Sequence, residues 1–299
     1  MNRLDRTIAA LVPRLPRGLV GVVARRYVAG EELESALAVC AELNARGITT
    51  TMDILGEDIR ETGAADAIVA EYRRVLDEIG RRGIDGNISV KPSHLGLRID
   101  RRRCAENVRS LVEHAARSNH FVRIDMEDSS TTDATLEIYR SLRGTYSNVG
   151  VVLQSRLKRS LRDAEELAAL GTRVRVCKGI YREPAEIAHI DDASIRRSFL
   201  EIVELLLRAG CHVGIATHDR PLVDGSNEVI ARLGGCPGIY EFQMLLGVTE
   251  KLRDEIVRAG HPLRVYVPYG REWYAYSIRR LRENPQIAGH VFRAMLGLG

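Results

Sequence analysis

The chain has 299 residues, 45% of them hydrophobic and 28% charged, with a formal net charge of +4 at neutral pH. That is apolar material for a large core in one large or two small domains. With 5% aromatics and no basic run longer than Arg101–Arg103, the composition speaks against nucleic-acid binding. The five cysteines (Cys40, Cys104, Cys177, Cys211 and Cys236) are odd in number and form no C-x-x-C pair, which predicts a reducing cytosol rather than a disulfide framework or a zinc site.

The N-terminus is a poor signal peptide, because Arg3, Asp5 and Arg6 precede an apolar run that Pro13 and Pro16 interrupt. Nothing approaches the ~20 apolar residues of a spanning helix. Ile8–Ala24 is apolar and cationic, which suits a peripheral membrane segment as well as a packed helix. Residues 1–46 read as a helical arm, most clearly over Glu31–Arg46, with Gly47 as its stop.

A strict alternation follows. Ile48–Ile54 reads as a strand and Ala64–Arg81 as a helix, then Asn87–Val90 and Arg102–Ser118. Phe121–Met126 precedes the helix Thr132–Arg143, which Ser and Thr caps open. Val149–Leu153 is followed by Leu161–Leu170, Arg173–Cys177 by Ala193–Ala209, and Cys211–Ala216 by Pro221–Leu233. Ile239–Phe242 is a weaker strand before Glu250–Ala259. Leu263–Val267 is the last strand; Pro268 and Gly270 break the chain, and Arg271–Arg282 is the last helix. Eight strands, each followed by a helix, predict an α/β fold of the closed (β/α)₈ TIM-barrel type, since no G-x-G-x-x-G or P-loop follows any strand. The expected organisation is one domain over 1–299, with the arm at 1–46 and the barrel at 47–299.

Chemistry in such barrels sits where strands end. Those positions carry Asp53, Lys91, Asp125 with Glu127, Gln154, Arg175 with Lys178, Thr217 with His218 and Asp219, Glu241 with Gln243, and Tyr266. Metal chemistry fits poorly: His218 stands alone, and Lys91, Arg175 and Lys178 compete for the carboxylates that a magnesium ion would need. Lys91 or Lys178 could be a Schiff-base lysine of a carbonyl lyase. The same cations could instead hold an anionic flavin cofactor and tune its hydride acceptance. Spacing leaves both open. On the last helix Tyr276, Arg279, Arg280 and Glu283 fall at i, i+3, i+4 and i+7 on one face. That face is either an ion-paired, solvated stripe or a clamp for a small carboxylate.

The stretch YVPYGREWYAYSIRRLRENP resembles the C-terminal signature of the proline dehydrogenases, flavoenzymes of proline catabolism. The resemblance recurs at VKPSHLG (90–96), FVRIDMED (121–128), VVLQS (151–155), RVCKGIYREP (175–184), ATHD (216–219) and YEFQMLLG (240–247). It implies noncovalent FAD at the barrel mouth, L-proline as substrate and a quinone as electron acceptor. It also implies that Arg279 and Arg280 grip the substrate carboxylate beside Glu283, with Lys91 nearby and Asp125 an active-site acid positioning these cations. Tyr266, Tyr276 and Leu245 would wall the proline ring, and Arg175 would lie near flavin N5. Met126, Gln154, Lys178, Gly179, Ile180, Thr217 and His218 would contact FAD. Ile180 and Cys177 depart from the family pattern, which expects a smaller and an aliphatic residue there.

Overall fold

Eight short strands close on one another in chain order: β1 (Thr49–Ile54), β2 (Gly86–Val90), β3 (Val122–Ile124), β4 (Val149–Gln154), β5 (Arg173–Cys177), β6 (His212–Ala216), β7 (Tyr240–Leu245) and β8 (Leu263–Tyr269). Every pairing is parallel, and β8 returns to β1 over six register pairs from Thr49↔Arg264 to Ile54↔Tyr269. The computed structural model describes residues 17–57 and 59–283; the side chains of residues 17, 19, 22, 23, 62 and 279–283 lie outside the description.

The helices are α1 (Arg17–Tyr27), α2 (Leu33–Asn44), α3 (Thr62–Arg82), α4 (Arg101–Arg117), α5 (Thr132–Arg143), α6 (Ser160–Ala168), α7 (Asp192–Arg208), α8 (Arg220–Arg232), α9 (Glu250–Arg258) and α10 (Trp273–Glu283). Local chemistry sets their ends. Asp100 accepts from the Arg103 amide at 3.1 Å to start α4, and Asp191 accepts from Ser194 at 2.8 Å to start α7. Gly83, at φ 64°, ends α3 in the left-handed conformation that a side chain would resist.

Period-two alternation sorts each strand into two faces. One face, including Met52, Ile88, Ile124, Val151, Val174, Ile215, Phe242 and Val265, joins the helices in a single buried apolar core. The other points into the barrel, where such folds usually stack Val, Ile and Leu. Here it carries Thr51, Asn87, Arg123, Glu241, Gln243 and Arg264, so the lumen is filled by a hydrogen-bonded polar network.

Three local expectations are corrected. The arm is not one continuous helix. Between α1 and α2 the chain is extended, because the Ala29 amide donates to Pro268 O and Gly30 O accepts from Gly270 at the end of β8. Residues 1–16, and with them half of the predicted peripheral segment, lie outside the described residues. β7 extends three residues beyond its predicted end; Glu241 and Gln243 point into the lumen and hide a strand that the Phe242–Met244 side pairs normally with β8. β8 runs through Pro268, which is tolerated because β7 pairing stops at Leu245↔Tyr266 and Pro268 faces only β1. Beyond these, β3 is shorter than its predicted run.

α1 packs against α10 at the barrel mouth. Tyr27, Val28, Leu55 and Tyr276 form a small separate core, with Trp273 and Val248 against it. Gly247, at φ 71°, sits under the Arg26 carbonyl so closely that an added Cβ would lie 2.0 Å from that oxygen, and the Arg26 side chain donates back to Gly247 O at 3.0 Å. Trp273 Nε1 donates to Glu31 Oε1 at 2.8 Å. None of the described helices is long and apolar enough to cross a membrane.

Candidate active site

The C-terminal ends of the strands surround a cavity of about 660 Å³, walled on one side by Tyr276 of α10. Two buried ion pairs set its floor. Asp53 ends β1 at 1% exposure and takes both of its 2.7 Å bonds from Lys91 Nζ, which leaves β2. Burial alone pulls the Lys91 ammonium down, but the carboxylates of Asp53 and Asp125 outweigh it and hold the lysine above its ordinary range. Lys91 is thus a fixed cation, the reverse of what a Schiff-base nucleophile requires.

The second pair crosses the barrel. Arg175 Nη1 donates to Asp125 Oδ1 at 2.6 Å and to Ser89 Oγ at 3.2 Å, while Ser89 Oγ also donates to that carboxylate oxygen at 2.8 Å. Tyr266 OH donates to Asp125 Oδ2 at 3.1 Å, and its ring lies 5.3 Å from the Arg175 guanidinium carbon, in cation–π range. Burial, then the Asp125 charge, pushes the Tyr266 hydroxyl far above its ordinary value, so it stays a donor. Asp125 therefore has three donors, and its partner among the cations is Arg175. The expectation that Asp125 positions Lys91 is corrected: Asp53 does so.

The opposite wall comes from the ends of β4 to β7. Gly179 follows β5 at φ +90°, and a Cβ there would meet Gln154 Oε1 at 2.4 Å, so only glycine lets this loop approach β4. Gln154 in turn donates to Glu127 O at 2.6 Å. Lys178 is ion-paired with Asp219, which also accepts from Arg196 at 2.7 Å. Burial would raise the Asp219 carboxyl, but those two partners hold it below its ordinary range. The Asp219 amide donates to Thr217 Oγ1 at 3.1 Å, and His218 Nε2 accepts from the Leu245 amide at 2.8 Å. Met126 and Ile180 complete this wall, Ile180 at 45% exposure. Burial pushes the Cys177 thiol up to about 11, which leaves it protonated and poorly nucleophilic.

All of the expected site residues with described side chains line this one cavity: Lys91, Asp125 and Arg175; Leu245, Tyr266 and Tyr276; Met126, Gln154, Lys178, Gly179, Ile180, Thr217 and His218. The backbone of α10 carries Arg279, Arg280 and Glu283, but their side chains lie outside the described residues. Neither spacing nor the resemblance gave a role to Asp53, Ser89, Tyr72 or Gln243. Asp53 and Gln243 were visible as polar strand ends, whereas Ser89 and Tyr72 gave no signal. Tyr72, on α3, donates to Ser89 O at 2.9 Å and accepts from the Ile54 amide at 3.2 Å. Asp125, Glu127 and Asp219 are separately engaged, Glu127 by the Ser93 amide and hydroxyl. No group of three metal-ligating side chains stands among the described residues.

The family model described as "Proline dehydrogenase" matches residues 36–293. A proline dehydrogenase of Deinococcus radiodurans is 35% identical over 290 residues, covering 95% of this chain and 94% of that one. Proline dehydrogenase 1 of Bacillus subtilis is 32% identical over 273 residues, 91% of this chain and 90% of that one. Among solved structures, proline utilization A of Bdellovibrio bacteriovorus superposes with a TM-score of 0.83 at 24% identity, over 88% of this chain and 32% of its own length, and shares the fold.

Proposed function

The chain belongs to the proline dehydrogenase family, and from that premise we propose that it oxidises L-proline to 1-pyrroline-5-carboxylate with FAD held in the cavity at the barrel mouth. It is an oxidoreductase of the first step of proline degradation. The residues present fit a flavin nucleotide. Gly179 keeps its loop close against Gln154 and bare of a side chain on the cavity wall, and the cations Lys178 and Arg156 line the cavity beside it for a pyrophosphate. Met126, Gln154, Ile180, Thr217 and His218 would hold the rest of the cofactor, with Arg175 by its reactive ring. When bound, FAD supplies the acceptor for the hydride that leaves the proline ring.

The chain's own part is orientation. Lys91, kept charged by Asp53, meets the substrate carboxylate from below, and Arg279 and Arg280 meet it from α10, with Glu283 steadying them. Tyr266, Tyr276 and Leu245 give the ring an apolar seat that excludes water, which favours the neutral ring nitrogen that hydride departure requires. Asp125 takes three donors and so acts as an orienter of Arg175 and Tyr266. The family resemblance supports a quinone as the acceptor of the electrons, the unpaired cysteines support a cytoplasmic site of action, and the apolar, cationic Ile8–Ala24 segment supports peripheral contact of this one-domain protein with the membrane.

The observation that carries the reading is the pair of buried cations, Lys91 and Arg175, each fixed by its own carboxylate in the cavity that Gly179 also lines. The purified protein should show a flavin band at about 450 nm that L-proline bleaches without air. Arg280→Met should raise the proline KM far more than it weakens FAD binding. A protein that stays colourless when supplied with FAD would overturn the reading, and equal losses of proline and FAD affinity would make α10 a scaffold only.

A further inference from the structure

Gln243 lines the base of the cavity and Glu241 lies beneath it in the lumen, and the proposed chemistry uses neither. Both are buried, at 5% and 8% exposure, and both come from β7, two residues apart on its inward face. Gln243 Nε2 donates to Glu241 Oε1 at 2.6 Å, and Gln243 Oε1 accepts from Arg175 Nε at 2.6 Å. Glu241 is anchored from the other side by Arg264 of β8, whose Nε donates to the same oxygen at 2.8 Å and whose Nη1 donates to Thr50 O at 2.6 Å. An unbroken chain of hydrogen bonds therefore runs from Thr50 through Arg264, Glu241 and Gln243 to Arg175, and on to Asp125.

We infer that Glu241 and Gln243 are positioning residues, an anion-locked amide that sets the direction of the Arg175 guanidinium at the cofactor. An amide side chain can turn through 180°, exchanging donor for acceptor. Here one face meets a carboxylate, which only accepts, and the other meets a guanidinium, which only donates. A flipped Gln243 would place oxygen against oxygen and N–H against N–H in a dry lumen, where unmade polar contacts are costly. Burial would raise the Glu241 carboxyl, but the Arg264 charge outweighs it and holds the group at about 2, so the lock stays closed across the working pH range. β6 makes the room: a Cβ on Gly214 would lie 2.5 Å from Gln243 Nε2. With Nε fixed from below and Nη1 fixed by Asp125, the guanidinium plane has no remaining freedom.

The inference rests on the proposed placement of Arg175 beside the flavin, and its test separates the two. In flavin-free protein the Arg175 Nε–H should exchange slowly with solvent, and Gln243→Leu should abolish that protection. In FAD-loaded protein Gln243→Leu should slow flavin reduction about tenfold and shift the flavin midpoint potential, with the proline saturation constant and the FAD Kd within about twofold of the starting protein. Gly214→Ala, which keeps every polar group and displaces only the amide, should shift both in the same direction by less. In an Arg175→Lys background, Gln243→Leu should add little, because the two act as a unit. An unchanged exchange rate, or an equal loss in both backgrounds, would overturn the inference. Loss of exchange protection with no change in potential or reduction rate would keep the lock but remove Arg175 from the cofactor.

Discussion

Replacing Asp53 by Asn would leave the Lys91 ammonium in its seat with no carboxylate in contact. The pair is well sequestered, with side-chain exposures of 10% for Lys91 and 1% for Asp53, and both carboxylate oxygens lie 2.7 Å from Nζ. Breaking a buried pair by removing one partner costs about 3–5 kcal/mol, most of it the penalty of the charge left behind. Asn keeps one oxygen acceptor and Asp125 still acts at a distance, which places Asp53→Asn near the lower end, at about 3 kcal/mol. Lys91→Met strands the Asp53 carboxylate instead and should cost a similar amount. The double variant strands neither, so it should be more stable than the sum of the two losses predicts, by roughly 2–3 kcal/mol. Urea unfolding of the four proteins at pH 7 measures this coupling. With only Asp125 and Glu57 left to oppose burial, Lys91 in Asp53→Asn should also lose its proton at a lower pH, so proline KM should climb as the assay is made more alkaline. Strictly additive losses, with a KM profile unchanged by pH, would mean that Lys91 and Asp53 stabilise the barrel independently and that the buried-pair reasoning is wrong.

Gly179→Ala should weaken FAD binding by about tenfold, because the left-handed φ of +90° costs about 1–2 kcal/mol and the methyl, 2.4 Å from Gln154 Oε1, would push that side chain and the loop apart; FAD titration of the apoprotein measures it, and wild-type affinity would refute the role of this loop. Acid should unfold the protein in two stages. His94 and His212 are both held down to about 4 from an ordinary 6.5, mainly by burial, so the folded state keeps them neutral while the unfolded chain takes up protons. Stability is then fully present above about 6.5 and lost as pH falls towards 4, by up to about 3 kcal/mol for each histidine. Glu241, depressed from 4.5 to about 2, adds a second loss as pH falls below 4.5, which Glu241→Gln should flatten. Thermal melts across pH 3–8 would show both branches, and a melting temperature level from pH 7 to 4 would refute the first.

The barrel was legible because its helix-facing strand residues are apolar at period two and its helices are amphipathic; the eight units and their order need nothing else. The weaker elements mark where the lumen is polar. β7 read as a short strand because Glu241 and Gln243, which belong to the interior network, look like loop residues to a hydrophobicity pattern. The ring of polar strand ends located the cavity, and motif resemblance supplied roles within it. Pairing was out of reach: nothing in the spacing says that Lys91 closes on Asp53 and Arg175 on Asp125, since that choice depends on strand tilt and on which side chains face one another across the lumen. Tyr72 was invisible for a similar reason. It is a helix residue whose hydroxyl reaches the floor of the site only after α3 has packed. The arm was readable as helix but not as a partner of α10, because its contacts are with Trp273 and Gly247, more than two hundred residues away.

Those distant contacts govern the order in which the molecule can be made. Thr50 meets Arg264 across 214 residues of chain, and Glu31 meets Trp273 across 242. At roughly 5–20 residues per second on the ribosome, Thr50 waits on the order of ten to forty seconds for its partner to be synthesised. Throughout that interval β1 has one unpaired edge and α1 has no helix to rest on, a state open to mispairing and to capture by chaperones. Closure over such long loops is also slow once the chain is released. A nascent chain stopped just short of Leu263 would therefore carry seven of the eight strands and yet have neither Tyr266 nor the α10 helix that walls the cavity with Tyr276. Competence arrives in a single late step rather than by degrees, which keeps half-made copies from engaging substrate and cofactor.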